Sequence, residues 1–242
     1  MSDTVQHAAP PAGELGVMSG AAIEPGLRAA ATTFRDQTGI AVAISFATAP
    51  QVRQRIGAGE RPDVLITTPA VLDDLTRSGM IDDTARIPVG RVGVGLAVRE
   101  GAQPPDISSS DALVRALRDA DSVIYNRASS GLYVEGLIER LGLSVLLQAK
   151  TKRYSGTDMV EPLVNGSGRE IGFMPIAEIL HFRSKGMQFV GPLPAEIQHH
   201  TEYAAVAFSN ADAALSFLRF LETPATRSIF AVAGVEPCGG DR

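Results

Sequence analysis

From Leu15 onward, short apolar runs alternate with stretches of helical periodicity, and that alternation restricts the fold more than any other feature. Leu15–Met18, Ile40–Phe46 and Asp63–Thr67 read as buried strands. Between them, a pattern from about Ile23 places Leu27, Ala30, Ala31 and Phe34 on one helical face and ends at Gly39. A short helix over Gln51–Ile56 follows the second strand, and Pro69 suits the first turn of a helix running to Gly79. Strand–helix–strand alternation with short loops is the pattern of a mainly parallel sheet covered by helices.

The rhythm breaks at Arg91–Val98, a longer, glycine-containing strand, and again at Thr201–Phe208. Between these two lies a complete inner series. Helices are expected over Ser110–Arg118, near Gly131–Leu141, over Asp158–Asn165 and around Ile176–Leu180, and strands over Ser122–Tyr125, Ala149–Tyr154, Ile171–Met174 and Gln188–Val190. Helices over Ala211–Leu221 and Pro224–Ala233 close the chain. The two long strands therefore read as crossings between lobes. Residues 15–90 and 205–242 form a discontinuous first lobe, residues 91–204 a second, and residues 1–14 a flexible lead.

A net charge of −5 and scattered Lys and Arg, with no run beyond Lys150-Thr-Lys152-Arg153, argue against nucleic-acid binding. The one cysteine, Cys238, lacks Cys or His neighbours at metal-ligand spacing, so neither a metal nor a cofactor is expected. No apolar stretch approaches the roughly 20 residues of a membrane span. The first residues have neither a cationic segment nor an apolar one, so they do not read as a signal peptide. The chain as it stands reads as cytoplasmic, or as periplasmic if an export signal has been removed.

In parallel α/β sheets ligands collect outside the carboxyl ends of the strands, where helix N-termini offer N–H donors and partial positive charge. Three junctions have suitable small polar residues: Ser19-Gly20-Ala21, Thr48-Ala49 and Ser129-Ser130-Gly131. Plain N-capping explains each one taken alone, but together they occur in both lobes. Thr68 could line the floor of a cleft, and Arg127 could pair with a carboxylate or face solvent. Tyr125 and Tyr154 stand at strand ends, with packing as the bland alternative.

Catalytic patterns are weak. Ser129-Ser-Gly and Ser155-Gly-Thr do not form a nucleophile elbow. Gly93-Val-Gly95 lies within a strand rather than a phosphate loop, and His199-His200 lacks zinc spacing and reads as a solvent-exposed turn. Glu178 is the carboxylate to watch as a proton-transfer base.

Several runs carry a family likeness: Val17–Ile23, Ser45–Pro50, Gly57–Ile66, Arg91–Arg99, Ile171-Gly-Phe173 with Glu178-Ile-Leu180, and Gly191–Glu196. In order and spacing, from about residue 15 to 237, they resemble the molybdate-binding-protein-like solute receptors. The resemblance implies a two-lobed type II periplasmic-binding-protein fold, α/β, with mixed, mainly parallel sheets flanked by helices and two hinge strands. It implies a monomer that closes on a small anion in the interlobe cleft and serves an ABC permease if exported. By position, Ser19 and Thr48 match ligand hydroxyls of the first lobe, while Ser129 and Ser130 fall in the contacting loop of the second. Pro175 completes the expected ligand set, in Phe173-Met-Pro-Ile176, where molybdate receptors carry a tyrosine-bearing segment. That departure counts against molybdate itself, and Arg127 is a reason to consider an organic acid, so the expected ligand is an oxyanion or a di- or tricarboxylate. Aconitate isomerases resemble this group as well, so a soluble isomerase of a di- or tricarboxylic acid is the alternative expectation.

Overall fold

The computed structural model describes residues 14–82, 85–208 and 211–239. The lead read over residues 1–14 therefore lies outside the described residues, apart from Glu14. The chain gathers into two compact units. Unit 1 runs to Gly90 and adds Glu202–Phe230 and the residues from Pro237; unit 2 is Arg91–Thr201 with Ala231–Glu236.

Unit 1 opens with β1 (Leu15–Ser19), a 3-10 turn at Ala21–Ile23, α1 (Glu24–Thr38), β2 (Val42–Phe46), α2 (Ala49–Gly57), β3 (Val64–Thr67) and α3 (Pro69–Arg77). β1 pairs in parallel with β2 and β3. The returning β9 (His200–Ala207) runs antiparallel to β3, with Thr67 opposite Ala204. The helical spacing of Leu27, Ala30, Ala31 and Phe34 buries one face of α1, and Gly39 ends the helix at φ 77°, a left-handed conformation that suits glycine. α9 (Asp212–Leu221) packs on that face. Phe34 and Phe217 meet edge to face with centroids 5.0 Å apart, and Phe220 sits 5.3 Å from Phe34. α10 (Pro224–Val232) follows.

The chain enters unit 2 within β4 (Ile87–Arg99) and leaves it within β9. Unit 2 then carries α4 (Ser110–Asp119), β5 (Ser122–Asn126), α5 (Ser129–Arg140), α6 (Ser144–Leu147), β6 (Thr151–Tyr154), α7 (Val160–Val164), β7 (Glu170–Pro175), α8 (Ile176–His181) and β8 (Met187–Pro192). β5 pairs in parallel with β6 and β7, while β4 pairs antiparallel with β7 and β8. Buried Leu96, Val123, Val134, Leu137 and Phe173 form the centre of its main core. Gly95 is required within β4, because a Cβ there would stand 2.9 Å from both Ile176 and Phe189. The alternation seen in the sequence is thus the α/β fold of the structure, with α6 and the short 3-10 turns as additions.

Two details differ from the sequence reading. α5 starts at Ser129 rather than near Gly131, which places both serines inside the helix. The pair His199-His200 is not a solvent-exposed turn. His200 begins β9, and the half-buried His199 stacks on Tyr133 with ring centroids 4.4 Å apart. Backbone and side-chain bonds pin the segment to β4. Val94 N–H donates to the His199 carbonyl at 3.1 Å, and the Gln198 amide bonds both Val94 N–H and Val94 C=O at 3.0 Å. The Tyr133 hydroxyl donates to the Ile197 carbonyl at 2.7 Å. Residues Ala231–Glu236 join unit 2 through paired backbone bonds between Arg91 and Glu236, a placement the sequence pattern alone does not give.

Burial, followed by the nearby His200 and Arg140, lowers the His199 pKa from the ordinary value of 6.5. The unfolded chain then binds the proton more readily, so stability is full above about 6.5 and declines as pH falls through the folded value. Thermal melts from about pH 8 to pH 5 should show Tm falling on the acid side, and His199→Gln should flatten part of that fall. An unchanged slope in the variant would remove His199 from the account.

Candidate functional site

Parallel pairing brings the carboxyl ends of β1, β2 and β3 to one edge of unit 1, and those of β5, β6 and β7 to one edge of unit 2. At the unit 1 edge the backbone is largely committed. Gly20 N–H donates to the Ile66 carbonyl at 2.9 Å, and the Ser19 carbonyl accepts from Ala47 N–H at 2.9 Å. The Ser19 side chain is fully buried, its hydroxyl donating to the Gly20 carbonyl at 3.2 Å. Gly20 lies against the ring of Tyr203, where a Cβ would come within 2.5 Å, and Ala21 opens the 3-10 turn.

Thr48 serves its own helix. Its N–H and its hydroxyl both donate to the Gln51 side-chain oxygen, at 2.8 and 3.0 Å, just ahead of Ala49, the first residue of α2. Thr68 N-caps α3 without a side-chain bond to it.

The unit 2 edge is organised by a residue that the sequence did not single out, Asn126. It is 3% exposed, and its side-chain oxygen accepts from Ala128 N–H at 3.0 Å and from the Ser130 hydroxyl at 3.4 Å. Ala128 is the N-cap, so Ser129, Ser130 and Gly131 are the first residues of α5. Their N–H groups have no intrahelical acceptor, and the helix end carries about half a positive charge. Gly131 allows the helix to start this close to the strand. A Cβ there would fall 1.7 Å from the Asn126 carbonyl oxygen.

Beside this helix start lies a cavity of about 310 Å³, lined by Tyr125, Asn126, Arg127, Gly131, Leu132, Glu135 and Arg153. Arg127 N–H donates to the Tyr154 carbonyl at 3.0 Å, which holds the Arg127 backbone at the edge. Its guanidinium is in no ion pair among the described residues. Arg153 pairs with Glu135 at 2.5 Å. Burial raises the Tyr125 pKa, Glu135 adds to the rise and Arg153 opposes it, so the phenol stays protonated at neutral pH. The arrangement suits an anion: a free guanidinium, a helix N-terminus and a phenol surround one small volume.

The sequence-derived set divides across the two units. Arg127 and Gly131 line this cavity, with Ser129 and Ser130 in the same helical turn. Tyr154 ends β6 and packs, partly buried, against the core cluster that includes Met159 and Leu163. Pro175 ends β7, buried, and Glu178 lies in the first turn of α8; neither lines the cavity. Ser19, Gly20, Ala21, Thr48, Ala49 and Thr68 belong to unit 1. Leu132 and Glu135 went unnoticed, although Glu135 follows Gly131 by one helical turn, and Arg153 was read only as the end of a short basic run. Among the described residues, no group of three or more His, Cys, Asp or Glu could hold a metal ion, and no helix is long and apolar enough to cross a membrane.

Comparison with known proteins adds the family context. The family model described as bacterial extracellular solute-binding protein matches residues 15–236. A curated relative, the aconitate isomerase of a Pseudomonas species, is 28% identical over 98% of this chain and 93% of its own length. Among solved structures, the periplasmic molybdate-binding protein of Azotobacter vinelandii superposes with a TM-score of 0.73 at 20% identity, over 92% of this chain and 98% of that one. The sulfate-binding protein SubI of Mycobacterium tuberculosis does so at 0.71 and 22%, over 93% and 87%. These likenesses establish a shared α/β periplasmic-binding-protein fold.

Two glycines of α5 provide an internal control for the close approach. Gly136→Ala meets only the far end of Arg140, at 3.4 Å, and should stabilise by about 0.5–1 kcal/mol. Gly131→Ala must displace backbone and should destabilise by about 1–3 kcal/mol. Denaturant unfolding of both variants measures the contrast, and equal effects would mean that the α5 start tolerates a side chain.

Proposed function

The chain belongs to the bacterial extracellular solute-binding protein family, and on that premise we propose that it binds a small di- or tricarboxylate. The observation that carries this reading is the cavity of about 310 Å³ in which Arg127, free of any ion pair among the described residues, stands beside the start of α5. A tetrahedral oxyanion can be held by neutral donors and helix dipoles alone. A polycarboxylate spreads more charge over a wider span and calls for a guanidinium, which pairs with a carboxylate through two parallel bonds. The volume suits a small metabolite. The N–H groups of Ser129, Ser130 and Gly131 supply further donors. As a member of its family the protein would pass the anion to an ABC-type permease.

A second reading, a proton shift on a tricarboxylate, draws support from Glu135, whose carboxylate lines the same cavity. The curated isomerase relative points the same way. Glu135 replaces Glu178 as the first candidate base on this reading, because Glu178 does not line the cavity.

A thermal-shift screen across molybdate, tungstate, sulfate, phosphate, and di- and tricarboxylates tests the first reading. A true ligand at a hundredfold excess over Kd stabilises by about 2.7 kcal/mol. Arg127→Ala should weaken tricarboxylate binding by about 1.5–3 kcal/mol or more while leaving any oxyanion affinity within a few-fold. Wild-type affinity for a tricarboxylate in that variant would overturn the argument from charge. Loss of solvent-deuterium exchange at the ligand's acidic carbon in Glu135→Gln, monitored by NMR, would raise the isomerase reading above the receptor; binding without exchange in the wild type would exclude it.

A further inference from the structure

The sheet of unit 2 has a second edge, where β5 and β7 begin and β4 ends, and a larger cavity of about 590 Å³ opens there. Ser122 and Glu170 are paired at this edge, whereas Asn126 marks the other, so about 13 Å of strand separates the two cavities. The floor is formed by Arg99 and Glu170, one wall by the Pro104-Pro105 loop and the other by Ala112 and Ala116 of α4.

Arg99 and Glu170 are an unusual couple. The antiparallel register sets Ala97 opposite Gly172, and its continuation by two residues leads to Arg99 and Glu170 at the strand ends. Opposite charges so placed ordinarily pair across a sheet, yet no ion pair joins these two. Instead Arg99 Nε and Glu170 Oε2 are each buried without a hydrogen-bond partner. The second oxygen of Glu170, Oε1, accepts from Gly168 N–H at 3.0 Å. Gly166 and Gly168 wrap the carboxylate closely: a Cβ on Gly166 would stand 2.4 Å from Glu170 Cδ, and one on Gly168 would stand 3.2 Å from Glu170 Oε1. The turn is therefore built around this carboxylate and holds Oε2 in place. Arg169 and Asp106, also at this cavity, are occupied, Arg169 with Asp121 and Asp106 with the Ser108 N–H. Arg115 and Asp119, one helical turn apart on α4, repeat the positive and negative pair on the wall.

A buried donor and a buried acceptor of opposite charge, both unsatisfied beside a cavity, are costly to leave unpaired, and a ligand that supplies an acceptor to one and a donor to the other would complete both. We infer that unit 2 carries a second binding site, at the edge opposite the anion cavity, for a small zwitterion. Its carboxylate meets Arg99, its ammonium meets Glu170, and an apolar body rests on Pro104, Pro105, Ala112 and Ala116. The class this describes is an α-amino acid with a short aliphatic side chain. The inference stands apart from the carboxylate reading, since the two cavities share no residue.

Calorimetric titration of the full chain with L-valine, and with its two half-molecules isovalerate and isobutylamine, tests the site. L-valine should bind at least tenfold more tightly than either half-molecule, a comparison that needs no variant. Glu170→Gln and Arg99→Lys should each weaken L-valine binding tenfold or more. Glu170→Gln should not weaken isovalerate binding and should strengthen it if anything, because a negative charge beside its carboxylate is removed while only the ammonium contact is lost. A flat wild-type titration with L-valine, half-molecules that bind as well as L-valine, or wild-type L-valine affinity in both variants would each overturn the proposal.

Discussion

Parallel pairing is the constraint on which the remaining features depend. Strands that run the same way must also end on the same edge, so the loops leading from them into helices converge there whatever their sequences. In unit 2 this sets the end of β5 beside the end of β6, joined by the Arg127–Tyr154 backbone bond, and delivers the start of α5 to the same place. The Asn126–Gly131 approach then fixes how near the helix comes: the side-chain oxygen of Asn126 accepts from the Ala128 amide and the Ser130 hydroxyl, and a missing Cβ leaves room. Charge is placed around this frame by single residues on three elements, Arg127 after β5, Glu135 on α5 and Arg153 on β6.

The element order was legible because hydrophobic periodicity reports it directly. Leu27, Ala30, Ala31 and Phe34 could bury together only on a helix, and Val64–Thr67 only as a covered strand. The long strands around Arg91 and Thr201 stood out because they interrupt a regular rhythm. What the pattern could not supply was pairing at a distance. Nothing local in His199-His200 reports that Val94 and Tyr133 will hold that segment against β4, so an exposed turn was the natural reading of two adjacent polar residues. Residues Ala231–Glu236 are a similar case, their position set by Arg91 far earlier in the chain.

The candidate site was legible by kind and only partly by residue. Ser and Thr at strand-to-helix junctions mark helix starts well, but the same chemistry that makes them donors for a ligand makes them caps. Thr48 is engaged with Gln51, whereas Thr68 makes no side-chain bond to its helix, a difference no spacing rule reveals. Asn126 escaped notice because one buried amide at a strand end has no sequence pattern around it. Glu135 and Arg153 escaped because they meet across two elements.

The discontinuity of unit 1 has a consequence for how the chain is made. Val64 of β3 finds its antiparallel partner at Ala207, so the sheet of unit 1 cannot be completed until β9 has been synthesised. Until then β3 presents an open, apolar edge of the kind that recruits other strands. Most of unit 2 is contiguous, from Arg91 to Thr201, and can gather its contacts during that interval. Closing so long a loop late is the slow kind of folding step, because its entropy is lost before its contacts form. β3, made well before its partner, is among the last strands to be sealed, and the period in which this chain is most open to aggregation is written into its topology.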